Sequence, residues 1–509
     1  VQEDSVTGDC EILIRRNGRV ERVRIGELVD GLLKRYGFEK AEGREILSKN
    51  PENIQVLSID SNLKVKWSKV SQFIRHKVRK DIFEVVTRSG RRIRVTGDHS
   101  LFSINEIGKL MPVKVSELKV GDHIAVPRFI PLKNKPKTHV NLMNHLNKLN
   151  GNFWVTGKEI GRLLEERKDE IKEMAIKLGY SRYSLSHWRR KEMLPIKVVK
   201  LLIKSVKLKE LNKLWIRDRK GKKIPIIFEL TPEFLKFVGL WLADGCYDDF
   251  STIISVGDEN CRKVVKRFAN KLGFSCRMHS DGVSLVIDSK LLKEILQKIF
   301  ELKGNAYTKR IPSWVFGLSK KQVSYVLSGI FSGDGCVGKY EVVIPLSSLN
   351  LLKDIQTLLL SFGILLKIGK FDPTDKTYDA RISGIEFIRK FKSNIGFLQE
   401  YKNLKLLQIA EKTPTHDITD IIPFPLLTKA ILCAYTPLSF SDYVTRGFNI
   451  GRKKFGRIVK TTCLPSFLTN LATSDIFWDE IKSIKRIESK QTYVYDLSVP
   501  ETENFVCEN

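Results

Sequence analysis

Two carboxylates stand at matching places in this chain. Residues 237–245, FVGLWLADG, form an apolar run closing on Ala243-Asp244-Gly245, and residues 327–335, LSGIFSGDG, close on Asp334-Gly335. Gly239 and Gly329 occupy the same point of each run, where a missing side chain lets two helices approach closely. Asp244 and Asp334 then fall at the ends of two buried helices, and a carboxylate there is costly unless it meets a cation or a polar partner. They are 90 residues apart, and Leu272-Gly273-Phe274 returns as Phe362-Gly363-Ile364 at the same offset. A lone Asp-Gly after an apolar helix reads as a helix end and a turn. Two landmarks in one register predict instead two copies of one fold.

A second set of reactive residue types lies toward the chain ends. Thr96 and His99, in VTGDHSLF at 95–102, sit three residues apart just past a strand, so both can point at one spot from a turn. That strand belongs to a β-rich region. Residues 11–26, EILIRRNGRVERVRIG, alternate about Asn17-Gly18, a strong hairpin signal; further alternating runs occur at 54–60, 82–88 and 91–95, with Ser89-Gly90 as a turn and one helix near Ile25 to Tyr36. The first 130 or so residues thus read as a mostly β domain.

At 509 residues the chain exceeds one ordinary core, and about two to four domains are expected. Eighty-eight basic against 58 acidic residues give a net charge of +30, which points to a polyanionic partner, nucleic acid before an anionic membrane. No stretch approaches the roughly 18 apolar residues of a spanning helix. The first residues, VQEDSVTGDC, carry no basic and apolar leader, so an intracellular, cytoplasmic protein is expected. Eight scattered cysteines without a CxxC pair fit reduced, mostly buried thiols. High Lys and Glu with few Met hint at a heat-adapted source.

Past Pro127 to Lys137, a proline-punctuated basic linker, helical periodicity begins. Residues 171–191 place Ala175, Gly179 and Leu185 at the spacing of a helix-turn-helix. The second helix carries Arg182, Tyr183, Ser184, His187, Arg189 and Arg190, types that touch phosphates and base edges. A helical hairpin with a merely solvated basic face is the plainer reading, and the net charge favours DNA. Residues 414–473 read as mixed helix with Pro423-Phe424-Pro425 and the basic run 451–460. The run 474–487 then leads back into a strand from Ile481.

The Asp-Gly pair resembles the LAGLIDADG motifs of homing endonucleases, departing from the family's letters at Trp241, Leu242, Phe331 and Ser332. SVTGDCEIL at 5–13 resembles the first splicing block of inteins, VTGDHSLF the second with its Thr-x-x-His, and YVYDLSVPETENFVC at 493–507 the block near an intein's C-terminus. Three blocks in this order, flanking a LAGLIDADG pair, resemble a bifunctional archaeal-type intein. The fold this implies is a multidomain mix of α and β. An all-β, horseshoe-like Hint splicing domain forms from 5–128 and 474–509, with 1–4 a remnant of the host. Inserted in it are a DNA-recognition region at 129–225, an α+β two-repeat endonuclease at 226–413 and a small helical subdomain at 414–473.

The roles are those the resemblance implies. Ser5 is the nucleophile of an N–O acyl shift, attacking the carbonyl of Asp4. His99 works on the scissile nitrogen and carbonyl, Thr96 helps to hold the oxyanion, and Asp496 couples the first step to the next. Asp244 and Asp334, with Gly245 and Gly335, hold Mg²⁺ or Mn²⁺ for phosphodiester hydrolysis, and Lys309 and Lys402 assist at each centre. The partners are double-stranded DNA containing the insertion site and a covalent host protein, with no membrane, and the endonuclease acts as a monomer. Inteins end in His-Asn, whereas this sequence reads Cys507-Glu508-Asn509, so truncation before that block is expected, the alternative being that Asn509 is the terminal Asn with Glu508 in place of His; Glu503 stands where the family often has His. Two other readings remain open: a DNA-binding protein of LAGLIDADG fold with decayed catalysis, and a Hedgehog-like autoprocessing domain.

Overall fold

Asn17 and Gly18 take φ of 47° and 76°, the left-handed pair that a two-residue hairpin needs, and join Glu11–Arg16 to Arg19–Arg24. The computed structural model describes residues 5–132, 134–181, 183–205, 208–412, 419–488 and 491–508. Ile25–Tyr36 is helical, burying Ile25, Leu28, Val29, Leu32 and Leu33 on one face.

The β region is organised by one antiparallel sheet of nine strands. Its order is His123–Pro127, Ile476–Ile487, Ile82–Thr87, Arg92–Thr96, Val6–Thr7, Tyr493–Ser498, Gln72–Lys77, Arg44–Leu47 and Glu39–Ala41. The short strand after Ser5 lies at its middle, with Val6 opposite Val95 on one side and Tyr495 on the other. Residues from both ends of the chain are therefore hydrogen-bonded neighbours. The strand expected from Ile481 begins five residues earlier, at Ile476. Ile476, Phe477, Trp478 and Asp479 are all buried, and burial on both faces erases the alternation that marks a strand in sequence.

The two apolar runs form the helices Pro232–Asp244 and Lys320–Asp334. Thr231 caps the first by accepting from the Phe234 N–H at 3.2 Å, and Ser319 with Gln322 makes a capping box on the second. They touch at the expected glycines: a Cβ on Gly239 would lie 2.1 Å from the Val326 carbonyl oxygen, and one on Gly329 2.2 Å from that of Lys236. The terminal glycines also serve space rather than a left-handed turn. Gly245 and Gly335 have φ of −95° and −77°, and a Cβ there would meet the Trp241 ring at 2.3 Å and the Phe331 carbonyl at 2.5 Å.

Each central helix leads into a four-stranded antiparallel sheet of one connectivity. The first runs Gly245–Tyr247, Ser251–Ser255, Ser284–Asp288, Cys276–Met278, and the second Cys336–Val337, Glu341–Leu346, Thr377–Ser383, Lys367–Asp372. The region expected to stand apart at 129–225 is tied to the unit at 226–413, because His139–Asn141 pairs with Ile227–Glu229. Within it, Lys168–Lys177 and Ser184–Arg190 are helices and Gly179 turns between them at φ 79°. The helical segment after residue 419 builds its own core from Ile422, Phe424, Leu432 and Phe455, closed by Leu63 and Trp478 of the β region. The thiols are less hidden than composition suggested, since Cys246, Cys336 and Cys463 are exposed.

Candidate functional sites

Ser5 is buried beside the middle of the large sheet, and its hydroxyl lies 2.8 Å from His76 Nε2. His76 Nδ1 is 3.1 Å from the Lys77 carbonyl oxygen. A carbonyl only accepts, so Nδ1 carries a proton, and in the neutral form of the ring the lone pair of Nε2 faces Ser5. Thr96 fixes the backbone of the same residue. Its N–H donates to the Ser5 carbonyl at 3.0 Å, and its hydroxyl meets the Ser5 N–H at 3.3 Å and the Ser5 carbonyl at 3.4 Å.

The turn after Thr96 is closed by the His99 N–H, which donates to the Thr96 carbonyl at 3.0 Å. Burial lowers the His99 pKa to about 4, so the ring is neutral at physiological pH. Its Nδ1 is a buried atom without a hydrogen-bond partner among the described residues. Asp496 lies in Tyr493–Ser498; extending the Val6–Tyr495 register by one residue sets it opposite Ser5. His99 and Asp496 line one cleft of about 1560 Å³ with Asn504, Cys507 and Glu508.

Sequence reasoning misses His76. Its strand, Gln72–Lys77, carries no motif that singles it out, and only the pairing of that strand with Tyr493–Ser498, His76 opposite Val494, brings it to Ser5. A search for histidines in strands neighbouring the C-terminal strand would find it, but needs the pairing first.

The second site lies at the ends of the two central helices. Asp244 and Asp334 come close enough to share a hydrogen bond, and burial together with the Asp244 charge raises Asp334 to about 7. Lys309 is buried and donates to the carbonyls of Trp241 and Ala243, both at 3.0 Å. Burial lowers its pKa to about 8, against the pull of both acids. Lys402 does the matching job on the other helix at shifted atoms, donating to the Gly335 carbonyl at 2.7 Å and the Ser332 carbonyl at 3.3 Å. Each lysine thus neutralises a helix C-terminus. The halves are not equivalent: the Gly335 carbonyl, expected to face a metal, already accepts from Lys402.

The third candidate is Ser184–Arg190. Leu185 and Trp188 bury one face, while Tyr183 is 87 % exposed and His187 and Arg190 are exposed. Ser184 is half-buried. Arg189 is exposed but pairs with Glu165, with Nε 2.7 Å from Oε1, so that cation is already engaged. Arg182 lies outside the described residues, as does Asn509.

A sheet in which both chain ends meet around a buried, histidine-bonded serine is the framework of a self-processing domain. The Intein splicing domain family matches residues 13–509, and the chain belongs to that family. It is 29% identical over 522 residues to DNA-directed RNA polymerase subunit Rpo1C of Methanocaldococcus jannaschii, covering 97% of this chain and 53% of that protein. It is 26% identical over 448 residues to the DNA polymerase II large subunit of Thermococcus kodakarensis, covering 81% of this chain and 24% of that one. The chain therefore spans about half or less of these relatives. Among solved structures, the transcription factor IIB Mvu mini-intein is 32% identical, with 25% of this chain and 71% of that chain covered and a TM-score of 0.24. No helix among the described residues is long and apolar enough to cross a membrane.

Proposed function

We propose that this chain splices itself out of a host protein from Ser5 and carries a LAGLIDADG homing endonuclease that cuts double-stranded DNA at the insertion site. The approach of Asp244 and Asp334 across a glycine-to-glycine helix contact supports the nuclease half of this reading and is the observation that carries it. In the splicing half, His76 Nε2 takes the Ser5 proton, the Ser5 oxygen bonds to the Asp4 carbonyl carbon, the Asp4–Ser5 C–N bond breaks, and the freed Ser5 amine takes up the proton, so that the amide becomes an ester. Thr96 holds the Ser5 backbone during attack. His99, neutral at physiological pH, is suited to the scissile nitrogen, and Asp496 to the hand-over into the next step.

Two converging carboxylates offer hard oxygen donors, which fit Mg²⁺ or Mn²⁺. A proton shared between the acids marks a pair short of positive charge, and Asp244 and Asp334 would hold the ion. Bound there, a divalent cation lowers the pKa of the attacking water and offsets charge on the leaving oxygen. Lys309 and Lys402 keep the helix ends neutral and present positive charge toward a phosphate. The basic face around Tyr183, His187 and Arg190 would extend the DNA contact, consistent with the net charge of +30.

The test is cleavage of a plasmid library of random inserts, with Mg²⁺ and with EDTA, by the wild type and by Asp244→Asn and Asp334→Asn. Metal-dependent cutting at one long site, lost in both variants, is expected. Retention of DNA without any cutting by the wild type would sink the nuclease and leave a DNA-binding protein with decayed catalysis.

A further inference from the structure

The inserted two-repeat unit reaches back into the splicing domain through buried ion pairs, at the segment that leads to Asn509. Lys353, on the helix Leu349–Leu360 of the second repeat, donates to Glu508 Oε2 at 2.9 Å. The other carboxylate oxygen of Glu508 accepts from the Glu11 N–H at 2.9 Å, and the Glu508 N–H donates to the Glu11 carbonyl at 2.9 Å. The Glu508 side chain is 9% exposed and that of Lys353 18%, so the pair is largely desolvated and removing either partner strands a charge. Glu508 also holds φ of 52°, a left-handed conformation that a non-glycine residue keeps only where its surroundings enforce it.

Glu11 is fixed from the same unit. Arg310, beside Lys309, donates to both oxygens of Glu11 and also to Asp354 at 2.8 Å, and Arg22 donates to Glu11 at 2.9 Å. Burial pushes the Glu11 carboxyl up, yet the two guanidiniums hold it at about 2. The strand that starts a few residues after Ser5 and the segment around Glu508 are thus clamped together by Lys353 and Arg310 of the inserted unit, with Arg22 of the β region as the third cation.

We infer that Lys353 of the inserted unit is a positioning residue for splicing, setting the course of the chain beyond Val506 toward the downstream junction. The inference rests on the splicing reading above but not on Ser5 being activated by His76. It implies that the insert is not energetically neutral to the reaction: the ion pair supplies at Glu508 the constraint that a glycine or a local cap would supply elsewhere.

The experiment uses the full-length gene product that contains this chain, with two readouts: hydroxylamine cleavage at Ser5, which reports the upstream ester, and yield of the joined host protein. Lys353→Met is expected to leave the ester unchanged and lower the joined product by about tenfold or more, with Lys353→Arg restoring most of it. Glu508→Gln, which breaks the same pair from the other end, should match Lys353→Met, and the double variant should be no worse than either. Joined product at the wild-type rate in Lys353→Met overturns the proposal, and so does a Lys353→Arg variant as impaired as Lys353→Met, since packing alone would then explain the loss. If Lys353→Met does not fold, Glu508→Gln decides by the same criterion. Absence of both ester and joined product in the wild type would instead overturn the splicing reading itself.

Discussion

The two candidate centres are assembled in opposite ways. The acid pair is made by repetition: one helix ending in Asp-Gly occurs twice, and a glycine contact brings the copies together. The serine site is made by sheet topology, with Ser5, His76, Thr96 and Asp496 arriving from four strands or strand ends whose order in the sheet bears no relation to their order in the chain. A repeat-built site depends on one packing contact, whereas a sheet-built site depends on several registers at once. Their protonation differs in the same sense. The acids sit together and force a proton onto Asp334, while burial keeps His99 neutral and a backbone carbonyl accepts from His76 Nδ1.

The largest effect expected is at the acids. On the proposed reading Asp244→Asn or Asp334→Asn should lower DNA cutting by at least about a thousandfold, because each removes a charge that would hold the metal and not merely a contact, while hydroxylamine-sensitive ester at Ser5 persists. Loss of the ester in the same variants would show that the centres are not separable. The counterpart is His76→Gln, which keeps a polar group near Ser5 but no base; ester formation should slow by about a hundredfold with cutting unchanged. An unaltered ester rate in that variant would remove His76 from the chemistry and pass the role of base to His99.

This contrast explains what the sequence made legible. Asp244, Asp334 and the glycine contact are read from two patterns a fixed distance apart, and patterns survive in a linear string; Lys309 and Lys402 come only with the family resemblance. Thr96 and His99 are readable because they share one turn. His76 is not, because nothing local distinguishes it from any other histidine in a strand; only Val494 lying opposite it reveals its neighbour. The start of the strand at Ile476 is hidden by its own burial, and the pairing of Arg189 with Glu165 by a separation of 24 residues. Motif and turn chemistry are local, and register is not.

Next in size is the helix contact. Gly329→Ala sets a methyl 2.2 Å from the Lys236 carbonyl oxygen, and backbone cannot yield as a flexible side chain does. A loss of about 2–4 kcal/mol is expected, read as a lowered denaturation midpoint, with cutting lost before splicing. Equal stability in the variant would mean that the helices can slide apart, and the repeat would not be what fixes the acids.

The acids also carry a pH signature. Asp334 is raised above its ordinary range to about 7, so the folded state holds a proton that the unfolded chain releases. Without metal, stability should therefore fall as pH rises from about 4 to about 7, and Asp334→Asn should remove this slope. Metal must displace the same proton, so Mg²⁺ affinity should weaken by up to about tenfold per unit below pH 7. Calorimetric titration at several pH values checks the sign, and a flat profile would show that the acids do not share a proton.

The smallest effect belongs to the helix Ser184–Arg190, the proposed DNA contact. Arg189 is held by Glu165, so a phosphate must compete for it. If the pair persists on DNA, Arg189→Ala should change affinity only slightly, by less than about fivefold, with little change in salt dependence. Glu165→Gln frees the cation, and it should tighten binding and steepen the decline of affinity with salt by about one phosphate contact. His187→Ala on the same face gives the reference for a side chain that no carboxylate among the described residues holds. A large loss in Arg189→Ala together with no gain in Glu165→Gln would mean that the arginine leaves its partner on binding and that the ion pair exists only to park it.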